Sequence, residues 1–466
     1  MNRLQSSNNT PLEDLIKHAM GYAGFFMREG AVFIVFGFLL TSFAADEQTD
    51  KAAGLGTRFG TIIWGRNHTG QPHWLDGSVY PGIDNQSRLE NMRYVPLDPD
   101  GNPAAPTSDP NKLRRGRYDC ALLDYWIDQA RQMSAAGLDW VAMDSFGDRK
   151  DLEVPNAEHD PTQDKYIIPS MVKGIREARA KLKICLLDDT PSHTFYHYRY
   201  EQLREQFPGK DKNGNPSWIK YRYDYKSVPL APLAVSADMG RKYLAEKWIN
   251  AYRYMAHDKD LWLTHDGSPP DRGGRPVIFM YATNTAWMAK ETMKLWHEAF
   301  AAAKKAFAEA HGVEPFLILD DVYFKFDPAV ERIADGKWLW APIAPKQIRD
   351  RKGVFTNQAT GRQTVAGMVV PGFELQSKTL AHTAERKRWI ALDGTEGDEK
   401  HLLTTEFQIV MADPKPDFVI IGHWNDFSEG QSFGMGIYPT KDGKGKLPPN
   451  YYLKAVRDLI EMSRGR

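Results

Sequence analysis

The sequence DFVIIGHWNDFSEG, residues 417–430, decides how we interpret the fold. Its apolar run Phe418–Ile421 is typical of a short buried strand, and polar and aromatic residues follow it directly. Two carboxylates, Asp426 and Glu429, lie three positions apart, a spacing that shares a face in a turn but not in an extended strand. Gly430 favours the turn. A carboxylate pair after a buried strand indicates acid/base chemistry. The simpler alternative is that Asp426 caps a turn and Glu429 is solvated.

Seven further apolar runs precede this strand and alternate with helical segments, a pattern that predicts a parallel α/β sheet. Eight strands are the number that closes a single (β/α)8 TIM barrel. An open doubly wound sheet is the alternative, but the first strand lacks the glycine-rich phosphate loop of that fold. The eight predicted strands are Thr57–Trp64, Asp139–Asp144, Lys183–Asp188, Arg275–Tyr281, Pro315–Asp320, Lys337–Ala341, Thr364–Val370 and Asp417–Ile421.

The C-terminal ends of barrel strands converge on one face, where catalytic residues usually lie. The connections after the first and third strands, residues 65–117 and 190–236, are far longer than ordinary ones, which predicts long loops that cover this face. Besides the carboxylate pair, the polar residues at the predicted strand ends are Asp144, Asp188, Asp189, Tyr281, Asn284, Asp320, Asp321 and Glu374.

An export signal is predicted near the N-terminus. Residues 31–44, AVFIVFGFLLTSFA, form an uncharged apolar run that is short for a membrane span and ends in Ser42-Phe43-Ala44 before Ala45. We therefore expect residues 1–44 to be a signal peptide, with Met27 as a candidate true start. Residues 45–466 would then be one catalytic domain of a secreted or periplasmic protein. An uncleaved membrane anchor is the alternative.

The composition indicates a neutral partner, because 60 basic residues balance 60 acidic ones and no basic run suggests nucleic-acid binding. Cys120 and Cys185 are expected to be buried thiols, with a single disulfide bridge left open. We expect no metal and no other cofactor, since the pair His193 and His197 lies in a predicted loop without an acidic base motif. The nucleophile motif of serine hydrolases, Gly-x-Ser-x-Gly, does not occur.

The motif WNDFSEG, residues 424–430, resembles the Trp-Asn-Glu-Trp-x-Glu-Gly signature of glycoside hydrolase family 99, the endo-acting α-mannosidases and α-mannanases. Two other stretches are similar to segments of that family. They are AAGLDWVAMD, residues 135–144, and GRPVIFMY, residues 274–281. The order of the elements agrees over roughly the whole chain after the apolar run.

The resemblance implies a (β/α)8 fold and hydrolysis with retention of configuration. It implies that Glu429 is the general acid/base and that Asp426 deprotonates the sugar 2-hydroxyl to form an anhydro-sugar intermediate. The family has glutamate where this chain has Asp426, a side chain shorter by about 1.5 Å. We therefore expect a secreted glycoside hydrolase that acts on a polysaccharide or oligosaccharide, with α-mannosides as candidates. A catalytically silent glycan-binding barrel is the alternative.

Residues near the predicted strand ends are assigned to substrate binding. Aromatic side chains suit stacking on sugar rings, and carboxylates and amides suit hydrogen bonds to hydroxyl groups. The predicted stacking residues are Trp424, Tyr281 and Trp287, and the predicted hydrogen-bonding residues are Asn425, Asp144, Asp189 and Asp321.

Overall fold

The chain alternates between a strand and one or more helices in a computed structural model of its 466 residues. The structure describes residues 56–64, 67–68, 71–72, 95–97, 105–106, 113–114, 120, 122–145, 147–148, 163–212, 214, 216–221, 228, 231–282, 288–340, 352–373, 387–391, 393–425 and 431–465.

Nine strands form the main sheet, and eight of them run parallel, as predicted. The ninth, β7, pairs antiparallel with β8 and was not predicted. The order is β6-β5-β4-β3-β2-β1-β9-β8-β7, and β6 also approaches β8, so the sheet curls into a nearly closed barrel. The strands are β1 Arg58–Trp64, β2 Trp140–Ser145, β3 Lys183–Asp189, β4 Val277–Tyr281, β5 Phe316–Asp320, β6 Gly336–Trp338, β7 Lys352–Thr356, β8 Gln363–Val369 and β9 Phe418–His423.

Helices connect most of the strands. Between α4 and α5 the chain makes a π-helical turn, Gly240–Ala245. None of the described helices is long and apolar enough to cross a membrane. The helices are α1 Leu123–Ala135, α2 Asp164–Ala178, α3 Thr190–Gln206, α4 Ala237–Met239, α5 Glu246–Arg253, α6 Trp296–His311, α7 Asp321–Phe326, α8 His401–Met411 and α9 Tyr451–Ser463.

The prediction of one long loop at residues 190–236 is wrong for its first part, where α3 forms. Helix α3 has no clear apolar stripe, so the spacing of its apolar residues does not predict a helix. It buries Tyr200 and Leu203 in a small separate cluster with Trp218. Most of the other predicted loop, residues 65–117, lies outside the described residues.

Strand residues alternate between the barrel interior and the helices, which separates the core into an inner and an outer cluster. Four aromatic residues from alternate parallel strands form one layer of the inner cluster. Trp140 stacks on Phe279 with 5.4 Å between ring centroids, Phe418 meets both rings edge-on, and Trp338 meets Phe279 at 5.5 Å. All four are buried, so this layer fills the barrel as in other (β/α)8 proteins.

Both cysteines are free thiols and both are buried. This confirms the expectation for Cys120 and Cys185 and excludes the disulfide alternative. Cys185 points into the barrel interior from β3, where burial raises the pKa of its thiol. A neutral thiol in an apolar layer is a packing group.

Candidate active site

The end of β9 contains a bulge that decides which side chains reach the barrel mouth. Gly60 on β1 pairs with Ile420, but Ile62 pairs with His423, so β9 has one residue more than β1 over this interval. The extra residue is at Gly422, whose φ of +43° favours glycine. A Cβ at Gly422 would lie 2.8 Å from Cδ of Pro371. The bulge reverses the alternation for the residues that follow it.

Trp424 consequently faces the helices and not the barrel interior. It is completely buried in the outer cluster, and its indole N–H donates to the side-chain oxygen of Gln129 on α1 at 2.5 Å. Its ring packs edge-on against Phe433 at 5.1 Å. The structure does not support the predicted stacking of Trp424 on sugar, because no face of the ring is accessible. A strand without a bulge would have placed Trp424 on the same side as Ile420.

Asn425 lies next to the same helix. It is 2% exposed, and its amide donates to the hydroxyl of Tyr125 at 3.2 Å. Its predicted role with substrate hydroxyls stays a prediction. The predicted catalytic residues Asp426 and Glu429 and the predicted stacking residue Trp287 lie outside the described residues.

The chain is anchored on both sides of residues 426–430. Before this segment, the backbone N–H of Trp424 donates to the carbonyl oxygen of Ile62 at 2.7 Å. After it, Gly434 donates to the carbonyl oxygen of Trp424 at 3.0 Å, and the guanidinium of Arg388 donates to the carbonyl oxygen of Ser432 at 2.6 Å. Arg388 is 1% exposed and lies over the rings of two tyrosines. The five residues that carry the carboxylate pair therefore connect two fixed, buried segments at the C-terminal end of β9.

Three inward-facing rings lie above the aromatic layer. We call this group the mouth floor; it consists of Tyr281, Trp340 and His423. Tyr281 stacks on Trp340 with 3.7 Å between centroids and 19° between planes, and His423 meets Trp340 edge-on at 5.0 Å. Tyr281 thus lies where the sequence placed it. Trp340 and His423 were not among the predicted site residues. Spacing could have found Trp340, because it follows the inward-facing Trp338 by two positions.

Carboxylates of three strands, β2, β3 and β5, point to the same end. The alternation along β2 and β3 directs Asp144 and Asp189 inward, where they are 4% and 7% exposed. On β5 the inward residue is Asp320, since Phe316 and Ile318 belong to the inner cluster. The sequence instead predicted Asp321 as the residue that forms hydrogen bonds to the substrate.

Asp321 begins α7 and forms ion pairs with Lys325 at 2.5 Å and with Lys337 at 3.5 Å. This geometry does not support the predicted contact between Asp321 and sugar hydroxyls. Asp320 accepts backbone hydrogen bonds from Val322 at 3.1 Å and from Ala282 at 3.4 Å. Burial raises the pKa of Asp320 to about 6, although these hydrogen bonds act in the opposite direction.

No group of three or more metal-ligating side chains occurs within the part of the chain that the structure describes. The inward carboxylates stand on separate strands together with aromatic rings. Such an arrangement can accept hydrogen bonds from hydroxyl groups and pack against apolar ring faces.

The fold and the site define a (β/α)8 barrel with polar and aromatic side chains at the C-terminal end of its strands. The chain belongs to the family described as "Domain of unknown function (DUF5010)", whose model matches residues 118–462. A comparison with proteins of curated function found no match.

Solved structures with a similar course of the chain include glycoside hydrolases. One is described as the GH99 endo-alpha-mannosidase from Bacteroides thetaiotaomicron, with 12% identity, a TM-score of 0.45, and coverage of 88% of this chain and 98% of that one. Another is described as a glycoside hydrolase-like protein, with 12% identity, a TM-score of 0.45, and coverage of 87% and 94%. At this distance the similarity assigns no residue roles and no substrate.

Proposed function

We propose that this protein is a secreted glycoside hydrolase that cleaves a polysaccharide or oligosaccharide with Glu429 and Asp426. The observation that carries the proposal is the anchored end of β9. The motif that resembles the glycosidase signature begins at the C-terminal edge of the barrel, the edge at which barrel enzymes carry their active sites. The mouth floor and the inward carboxylates lie at the same edge.

In the proposed reaction, Glu429 donates a proton to the glycosidic oxygen as the bond from C1 to that oxygen breaks. Asp426 takes the proton of the sugar 2-hydroxyl, and this oxygen bonds to C1 to form a 1,2-anhydro sugar. In the second step Glu429 removes a proton from water, and the water oxygen bonds to C1 as the C1–O2 bond of the anhydro sugar breaks. Asp426 returns its proton to O2. The product keeps its anomeric configuration, and both carboxyl groups regain their starting protonation states.

Other residues would bind and orient the sugar. Asp144 and Asp189 point to the mouth and would accept hydrogen bonds from hydroxyl groups. Gln129 and Arg388 do not reach the substrate but fix the chain on either side of the catalytic segment. α-Mannosides are our first candidates for the substrate, on the resemblance of residues 424–430 alone. Residues 1–44 would direct export as a signal peptide and be removed by cleavage near Ala44.

The proposal is tested by product release. Purified protein is incubated with α-mannans, other α-glycans and β-glycans, beside the variants Glu429→Gln and Asp426→Asn, and products are measured by mass spectrometry. We expect the wild type to release oligosaccharides from one glycan class and both variants to lose at least about a hundredfold in rate, a loss typical of removing an acid/base group. Release that both variants retain would refute the assignment.

A second candidate is a glycan-binding barrel without turnover, which the shorter Asp426 favours. A displacement of one carbon–carbon bond, about 1.5 Å, can itself reduce a rate by on the order of a hundredfold. This candidate predicts that the wild type binds a glycan of the panel and releases nothing from it. An Asp426→Glu variant that gains turnover would show that the missing methylene group is the reason why the wild type does not turn over.

A further inference from the structure

The mouth floor has the geometry of a ligand platform. Tyr281, Trp340 and His423 stand on or directly after β4, β6 and β9, three alternate parallel strands of the barrel. Tyr281 and Trp340 lie at the next inward-facing position above Phe279 and Trp338, which they follow by two positions each, and His423 contacts Trp340 from β9. Among the residues that the structure describes, the floor is the last inward-facing aromatic layer before the C-terminal end of the barrel.

Exposure distinguishes the floor from the layer beneath it. Trp338 and Phe279 are completely buried, and the Trp338 indole N–H donates to the carbonyl oxygen of Met280 at 3.0 Å. Tyr281 and Trp340, by contrast, both keep part of their surface accessible. Two stacked rings that stay partly exposed at the open end of a filled barrel provide an apolar surface for a ligand.

The orientation of Trp340 is fixed before any ligand binds. It stacks on Tyr281 at 3.7 Å, meets His423 edge-on at 5.0 Å, and meets Trp338 edge-on at 5.7 Å. A ring held by three neighbours loses little conformational freedom when a ligand packs against it.

We propose that Trp340, supported by Tyr281, is the surface on which the pyranose ring of the substrate packs its apolar C–H face. Trp340 is then a specificity-determining residue that selects cyclic sugars over acyclic polyols. The carboxylates of Asp144 and Asp189 at the same end accept hydrogen bonds from hydroxyl groups at the rim of that ring. This inference rests on the proposed function and adds to it the residue that recognises the sugar ring.

The test measures affinity separately from turnover. Trp340→Ala and Trp340→Phe are made in the Glu429→Gln background, and binding of the oligosaccharide that the wild type cleaves is measured by calorimetry. Tyr166→Ala is the matched control, because Tyr166 is an exposed aromatic residue on the outer face of α2. The midpoint of thermal unfolding is recorded for every variant, so that a loss of folded protein is recognised.

We expect Trp340→Ala to weaken binding by about tenfold or more, Trp340→Phe by less than about threefold, and Tyr166→Ala not at all. Cleavage by the wild type together with unchanged affinity of folded Trp340→Ala would overturn this inference and leave the proposed function intact. If the wild type cleaves nothing, the proposed function fails, and each soluble glycan of the panel is used as the probe. Binding that depends on Trp340 would then still support the platform, and binding that does not would overturn it.

Discussion

Asp320 couples the stability of the protein to pH through a single buried side chain. It is 3% exposed, and its carboxylate accepts two backbone hydrogen bonds at the start of α7. Burial raises its pKa to about 6, whereas an aspartate in an unfolded chain titrates near 4. Between these two values the folded protein holds a proton that the unfolded chain has released. The free energy of unfolding therefore falls as the pH rises through this window and levels off above it.

The variant Asp320→Asn removes this titration and keeps a side chain that can cap α7. We predict that the stability of the wild type relative to Asp320→Asn decreases by roughly 2–3 kcal/mol between pH 4 and pH 7. Urea unfolding of both proteins at one-unit pH intervals checks this. If plots of the free energy of unfolding against pH stay parallel for the two proteins, Asp320 does not have a raised pKa.

At the scale of the element, the bulge in β9 directs the residues that precede the carboxylate pair. Gly422 makes the bulge possible, because its φ is positive and a Cβ there would meet Cδ of Pro371 at 2.8 Å and the carbonyl oxygen of Gln431 at 3.0 Å. Its neighbours on both sides, Ile421 and His423, are completely buried, so the strand has little room to shift.

We predict that Gly422→Ala lowers the free energy of unfolding by about 2–4 kcal/mol, the sum of a left-handed backbone cost and a steric clash. Gly443→Ala is the matched control, since Gly443 also has positive φ, at +69°, but nothing lies within 4 Å of its Cβ position. In the control, Gly443→Ala, the free energy of unfolding should fall by only about 1–2 kcal/mol. Chemical denaturation of the two variants measures the difference, and equal losses would contradict the steric argument.

The same element shows how far the sequence could predict the site. Apolar runs located all eight parallel strands, because burial on both faces gives parallel strands a strong signal. The side of β9 on which Trp424 lies could not be predicted, because the bulge depends on pairing with β1, 360 residues away. The choice between Asp320 and Asp321 was accessible from the alternation of Phe316 and Ile318, and the prediction of Asp321 overlooked it.

At the scale of the whole molecule, a buried ion pair fastens α5 to the barrel. Lys247 contacts Asp188 at the end of β3, both side chains are almost wholly buried, and the indole N–H of Trp248 donates to the same carboxylate at 2.5 Å. Removal of one charge from such a pair leaves the other in a poorly solvated site, which costs about 3–5 kcal/mol.

We predict that Lys247→Met destabilises the protein by about 3–5 kcal/mol and that adding Asp188→Asn recovers part of this loss, because the remaining acceptor is then neutral. A double-mutant cycle in guanidinium chloride gives the coupling between the two positions. Strictly additive losses would contradict a direct interaction between Lys247 and Asp188.

We propose that the barrel hydrolyses a glycosidic bond with Glu429. The most direct measurement is cleavage of the glycan found in the panel in water enriched in oxygen-18, with mass spectrometry of the new reducing end. We predict that the fragment with the new reducing end gains one oxygen-18 atom at its anomeric carbon, that the leaving fragment gains none, and that Glu429→Gln releases at most about a hundredth as much product in the same time. No release by the wild type, or release that Glu429→Gln matches, would contradict the claim.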